Sequence, residues 1–340
     1  MTICVVQRSA PEAASVPVSE LDFLRQLSGP TILRLEGTSA GAARVVAGLI
    51  HGNEPSGLRA MHRYLREGHQ PAVDTYFFVG AVEAALREPA FSLRMLPGGR
   101  DLNRCFRAPF DAAEGEVAQT VLELLKRTEP AIVVDLHNNT GHNPAYVVTS
   151  SLDPLRLAVG SLFATRFVHS RIELGTFSQA FDASATSLTV ECGMAGSDAA
   201  DATAFAGLMR CLREPQLAPL LVTQEHLSLL VDPVRVRLRD GLSLAFAPSP
   251  RADVDVTFDS ELDRHNFETL APGTQLGWLR PQTPFPLQAV DEQGRDRALE
   301  LFEARAGVLQ SRRSFVPIMM TTQVPAALAD CLFYAAEREQ

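Results

Sequence analysis

The run Ala131-Ile132-Val133-Val134, closed by Asp135 and followed by Leu136-His137-Asn138-Asn139, constrains the fold of this chain more than any other feature. Four consecutive apolar residues without polar alternation read as a strand buried on both faces, the kind found in mostly parallel sheets covered by helices. Strand-like runs at 31–35, 43–50, 75–79, 145–149 and 187–190 repeat the theme, with helical segments at 56–67, 114–127, 154–167 and 198–213. Ser19-Glu20-Leu21-Asp22 reads as a capping box opening a short helix that ends at Gly29-Pro30. The expected fold class is therefore α/β, with a mixed, mostly parallel central sheet flanked by helices. His51, His137 and Glu191 each fall just after an expected strand. In open α/β sheets the crevice beyond the carboxyl ends of strands is where ligands bind.

The texture changes near Glu214-Pro215. From about Leu227 the chain shows short alternating runs at 234–238, 242–246 and 254–258, separated by Asp-Gly, Pro and Gly signals. Val324 to Glu337, with Pro325 at a first helical position, reads as a closing helix. The expected division is an α/β domain over 1–220 and a smaller β-rich domain over 221–340 with a C-terminal helix.

At 340 residues and 46% hydrophobic, the chain is long enough for one large core or two domains. A net charge of -9 argues against a nucleic-acid or anionic-membrane partner, since those require a clustered basic surface. Five cysteines, Cys4, Cys105, Cys192, Cys211 and Cys331, are an odd number without C-x-x-C spacing, which points away from a disulfide framework or zinc knuckle. The first ten residues hold too short an apolar run for a signal peptide, and no stretch approaches a membrane span. A cytoplasmic location is expected.

The chemistry begins at His51-Gly52-Asn53-Glu54, which places two metal-ligand types three residues apart, with His137 as a third far downstream. Catalytic zinc sites are commonly assembled from three such ligands with a fourth position open. Taken singly, each has a plainer reading: a helix N-terminal glutamate favoured by the dipole, or a core histidine bonded to a carbonyl. Asp135, two residues before His137, can orient a ligand imidazole or cap a turn. Arg94, Arg100, Arg104 and Arg107 crowd one loop-like stretch of an acidic chain, which suits recognition of a carboxylate. Arg104 beside Asn103 is the pair expected to bind substrate, and Arg107 is read as surface. Glu191, at the end of Ser187-Leu188-Thr189-Val190, is placed to take a proton from an attacking water and deliver it to a leaving nitrogen. Cys192 reads as a small buried group rather than a nucleophile.

As a set, His51 to Glu54 with Gly57, Asp101-Leu102-Asn103-Arg104 with Phe106, Asp135-Leu136-His137-Asn138, and Glu191 before Gly193 resemble the aspartoacylase and succinylglutamate desuccinylase family, within the zinc carboxypeptidase superfamily. The order is the family's, and the match spans about residues 44 to 193. The resemblance implies a zinc carboxypeptidase-like fold and one zinc ion per chain held by His51, Glu54 and His137. It implies a deacylase in which zinc-activated water attacks the amide carbonyl of a small N-acyl amino acid or similar amide. Glu191 would be general base and then acid, and Asn103 and Arg104 would hold a substrate carboxylate. An arginine shortly before the Asp101 motif would polarise the carbonyl; Arg94 and Arg100 compete for that role, with Arg94 preferred.

Two features of the aspartoacylase subgroup are missing. Gly175 to Val190 contains no arginine and Val316 to Val324 no tyrosine, so the resemblance does not extend to N-acetylaspartate recognition. The expected partner is a small-molecule substrate with a carboxylate, with neither nucleic acid nor membrane, and assembly into a homo-oligomer is left open. A metallocarboxypeptidase acting on peptides and a non-catalytic metal-binding module are the alternatives.

Overall fold

The computed structural model describes residues 5–217 and 226–339; Cys4 and the expected domain boundary at 220/221 lie outside them. The chain forms two units. The first comprises Met1–Asn138, Ala145–Phe167 and Glu173–Leu227. Its strands are β1 (Val6–Ser9), β2 (Thr31–Leu35), β3 (Arg44–Gly48), β4 (Thr75–Val79), β5 (Ile132–Asn139), β6 (Tyr146–Thr149), β7 (Arg166–His169) and β8 (Thr186–Met194). They lie in the order β1-β2-β4-β3-β5-β8-β6-β7. Pairing is parallel for β1 with β2 and for β3 with both β4 and β5, and antiparallel for β2 with β4 and β6 with β8. The helices are α1 (Glu20–Leu27), α2 (Ser56–Arg66), α3 (Val82–Leu86), α4 (Ala112–Lys126), α5 (Pro154–Ser161) and α6 (Asp198–Arg213). Ser19 caps α1 by accepting from the backbone of Asp22, as its sequence requires.

Adjacent residues on a strand face opposite ways, and β4 shows what covers each side. Phe77 meets Tyr64 of α2 edge-on at 5.8 Å, whereas Phe78 packs with Phe106 and Phe177 at 6.5 and 5.6 Å. On the Phe78 side Val45, Ala47 and Val133 join Val117, Val121 and Leu125 of α4 in one cluster. Helices therefore cover both faces, and every residue of β3, β4 and β5 is buried. This is the α/β architecture the continuous apolar runs demand.

Three boundaries differ from expectation. β5 continues through Asn139 and β8 through Met194, so His137 and Glu191 lie within strands rather than just beyond them. Their polar residues stay in the sheet because they find buried partners there rather than water. α5 stops at Ser161, and Arg166 opens β7. A Cβ on Gly160 would lie 2.5 Å from the Phe167 ring, so the chain turns back tightly over this glycine.

The second unit comprises Asn139–Pro144, Val168–Ile172 and Ser228–Gln340. It contains β9 (Ser228–Leu238), β10 (Leu244–Phe246), β11 (Val256–Phe258), β12 (Gln275–Leu279), β13 (Leu287–Val290), α7 (Ala298–Leu301), β14 (Phe302–Arg305), β15 (Val308–Ser311), β16 (Val316–Ile318), α8 (Val324–Ala329) and β17 (Phe333–Arg338). A five-stranded sheet runs β10-β11-β12-β15-β14, while β9 pairs antiparallel with β13 and β17, and β17 with β16. Phe302, Phe315 and Phe333 form an aromatic triplet at 5.5 to 5.9 Å in its core. The closing helix expected over 324–337 is corrected here: α8 ends at Ala329 and Phe333–Arg338 form β17. The competing signal is tertiary, since Phe333 and Ala335 are buried against β9. Among the described residues no helix is long and apolar enough to cross a membrane.

Candidate active site

The turn after β3 is shaped by what cannot fit. A Cβ on Gly52 would lie 2.6 Å from the Leu93 carbonyl oxygen and 2.7 Å from the Ala85 nitrogen, so glycine alone lets His51 and Glu54 flank so tight a bend. Leu49 enters that bend with φ of 53°. Glu54 then sits just ahead of α2, where the positive end of the helix favours a carboxylate.

Glu54 is the hub. His51 Nδ1 lies 2.8 Å from its Oε1 and His137 Nδ1 2.7 Å from its Oε2. All three side chains are buried, and their ligand atoms fall within 4.8 Å of one another. Two imidazole nitrogens and a carboxylate turned to one point are a donor set that suits zinc.

Each ring's other nitrogen meets an aspartate, Asp101 Oδ1 at 2.9 Å from His51 Nε2 and Asp135 Oδ2 at 2.8 Å from His137 Nε2. Asp135 is completely buried, and neither of its oxygens has an aligned hydrogen bond. A buried carboxylate in that state needs a positive partner close by, which a cationic His137 or a metal on its far nitrogen supplies. Carboxylate behind histidine is also how metal-bound imidazoles are held in place.

Charge organises the rest. Burial pushes Glu54 up, but His51 and His137 outweigh it and hold the carboxyl well below its usual range. Burial likewise works against charge on His137, yet Asp135 and Glu54 raise it well above an ordinary imidazole. Asp101, also partly desolvated, is held far down by His51, Arg94 and Arg104. Glu191 is the exception: burial, with Glu54 and Asp135 adding to it against His137 and Arg94, pushes its carboxyl up to about 8. One site thus holds an ionised carboxylate and a proton-retaining one, the contrast that acid–base chemistry exploits.

Residues 40–211 match the succinylglutamate desuccinylase/aspartoacylase catalytic domain. The chain belongs to that family. Members of the succinylglutamate desuccinylase/aspartoacylase family are hydrolases that act on N-acyl amino acids. The fold is also that of solved members. A succinylglutamate desuccinylase/aspartoacylase from Rhodobacter sphaeroides is 16% identical with a TM-score of 0.60, over 91% of this chain and 88% of that one. A succinylglutamate desuccinylase from Vibrio parahaemolyticus is 17% identical with a TM-score of 0.62, over 91% and 86%. Murine aminoacylase 3 is 17% identical with a TM-score of 0.53, over 89% and 97%. No curated protein sequence matches the chain.

The family's motif residues are placed as follows. Arg94 reaches the cluster, with Nη1 3.3 Å from Glu54 Oε1 and Nη2 2.9 Å from Asp101 Oδ2. Arg100 does not; it pairs with Asp111 on the surface. Asn103 is buried and turned inward, Nδ2 3.1 Å from His137 Nε2 and Oδ1 accepting from the Phe177 nitrogen at 2.8 Å. Arg104 donates to the Asn103 carbonyl at 2.9 Å, and Arg107 is exposed. Cys192 is buried and its thiol is driven well up by that burial. Cys105, Cys192, Cys211 and Cys331 are all buried thiols. Two contacts were given no role by the motifs. Asp101 links His51 to Arg94, and Asn138 bonds to the start of α2. Their only signal was membership of Asp-Leu-Asn-Arg and Asp-Leu-His-Asn.

Proposed function

We propose that this protein is a zinc-dependent deacylase that cleaves the amide bond of a small N-acyl amino acid or similar amide. The observation that carries the reading is the convergence of His51 Nδ1, His137 Nδ1 and the Glu54 carboxylate beside a buried, proton-retaining Glu191. His51, Glu54 and His137 would hold one zinc ion, with Asp101 and Asp135 fixing the two rings. A bound zinc supplies Lewis acidity, lowering the pKa of a water toward ~7 and polarising a carbonyl.

The remaining steps belong to the chain's own groups. Glu191 takes a proton from the attacking water and returns it to the leaving nitrogen. Glu191, its carboxyl lowered by positive charge at the ligand site, would then be free to act as a base. Arg94 donates to the carbonyl oxygen as negative charge develops there. Arg104, with Asn103 beside it, would hold the substrate carboxylate.

Metal content measured on protein purified without chelators is the first test. Wild type should carry about one zinc per chain and His51→Ala none. Comparing N-acyl amino acids with peptides of increasing length should then show turnover restricted to the small substrates. A wild type that takes up no zinc even after metal addition and dialysis overturns the proposal.

A further inference from the structure

Asn138 follows His137 on β5, and its side chain is buried among three segments. Its Oδ1 accepts from the backbone nitrogen of Ser56, the first residue of α2, at 3.0 Å. Its Nδ2 donates to Ser56 Oγ at 3.0 Å and to the Gly193 carbonyl at 3.2 Å. Its backbone nitrogen donates to Glu54 Oε2 at 3.2 Å. The helix has no side-chain cap of its own, because Pro55 stands ahead of it. The capping acceptor therefore comes from another strand. Ser56 Oγ in turn donates to Asp201 of α6 at 2.5 Å, and Asp201 accepts from Arg59 at 3.0 Å.

We infer that Asn138 is a positioning residue, an amide clamp that fixes the Glu54 carboxylate against His137 and Glu191 without touching substrate or metal. The inference rests on the hydrolase reading above. Glu54 lies two residues before Ser56, so its direction depends on where α2 starts. Gly193 lies two residues after Glu191, so its carbonyl reports the register of β8. One amide meets both while sharing a peptide bond with His137. Three segments distant in sequence thereby share a single reference point. Both amide hydrogens and the carbonyl oxygen are used, so truncation strands partners in a dry interior. Displacement of ligand groups by a fraction of an ångström is enough to degrade a metal or catalytic constellation.

The test compares wild type, Asn138→Ala and Ser56→Ala, using zinc itself as the probe in competition with a fluorescent chelator. Asn138→Ala should weaken zinc about 10- to 100-fold. At saturating zinc it should lower kcat on an N-acyl amino acid that wild type cleaves, while KM stays within about threefold. Ser56→Ala keeps the bond from the Ser56 nitrogen to Asn138 Oδ1 and should show a smaller loss in the same direction. A purely structural asparagine would lower Tm and leave zinc affinity and kcat at wild-type values. That result, in a variant with a native circular dichroism spectrum, overturns the inference. Where Asn138→Ala does not fold, Ser56→Ala decides, and wild-type zinc affinity in it counts against the clamp. A wild type without zinc affinity overturns the hydrolase reading and the clamp's purpose together, whereas variants matching a zinc-binding wild type overturn the clamp alone.

Discussion

In the proposed reaction Glu191 carries two demands on a single carboxylate: it would hold a proton when delivering to nitrogen and give it up when facing water. Its burial and its anionic neighbours Glu54 and Asp135 set the first, and His137 and Arg94 oppose them. Glu191→Gln keeps the shape and removes the chemistry, so kcat should fall by about 10²- to 10⁴-fold with zinc still bound. Metal analysis beside steady-state kinetics reads both. Arg94 and Arg100 separate as cleanly. Arg94→Ala should lower kcat by at least about 10²-fold, the scale of losing one oxyanion donor, while Arg100→Ala, which removes only the surface pair with Asp111, should stay within about twofold. Comparable losses in the two variants would refute the assignment. At this scale the ligand candidates were legible only as a set, His51 and Glu54 three residues apart with His137 far downstream, and the structure brings those three side chains to one point. It left Arg94 and Arg100 unresolved, because Pro97-Gly98-Gly99 breaks any local register. Asp101 and Asn138 stayed silent because their partners lie 50 and 82 residues away.

α2 illustrates what holds at the level of elements. Gly57 lets the helix start approach the sheet, where an added Cβ would sit 2.9 Å from Leu136 Cβ and 3.1 Å from Gly48 Cα. Alanine is the better helix former, yet Gly57→Ala should destabilise the protein by about 1–3 kcal/mol through overpacking. Urea unfolding checks the sign, and a stabilised variant would show that the gap can relax. Elements built on continuous apolar runs, such as β3, β4 and β5, were readable because burial on both faces leaves no polar interruption. The polar tails of β5 and β8 were not, since Asp135 to Asn139 look like a turn until their buried partners are known. β17 was hidden for a related reason. Pro325 signals a helix locally, while the pairing of Phe333 with Val236 is a distant contact that no local pattern encodes.

The stability of the whole molecule follows from how these groups titrate. His137 has a folded value above its ordinary 6.5 in the metal-free protein, so its stabilising charge is fully present below that pH and lost as pH rises through the raised value. Glu191 acts in the same direction, because its folded carboxyl keeps a proton up to about 8 that the unfolded chain releases near 4.5. Glu54 and Asp101, both depressed, lose their contribution only as pH falls below their ordinary 4.5 and 3.8. Chelator-treated protein should therefore show a falling Tm from about pH 6 to pH 8, and added zinc should restore most of it at the alkaline end by displacing the His137 proton. A flat Tm across that range would remove the charge argument. The second unit poses a different problem, one of timing. β9 carries the buried Val234 and Val236, yet its partner β17 begins only at Phe333. During synthesis that strand emerges long before its neighbour exists, leaving one edge open to other chains. Slow translation between the two strands would lengthen this exposure, so the codon tempo of that stretch bears directly on how much of the protein reaches its native state.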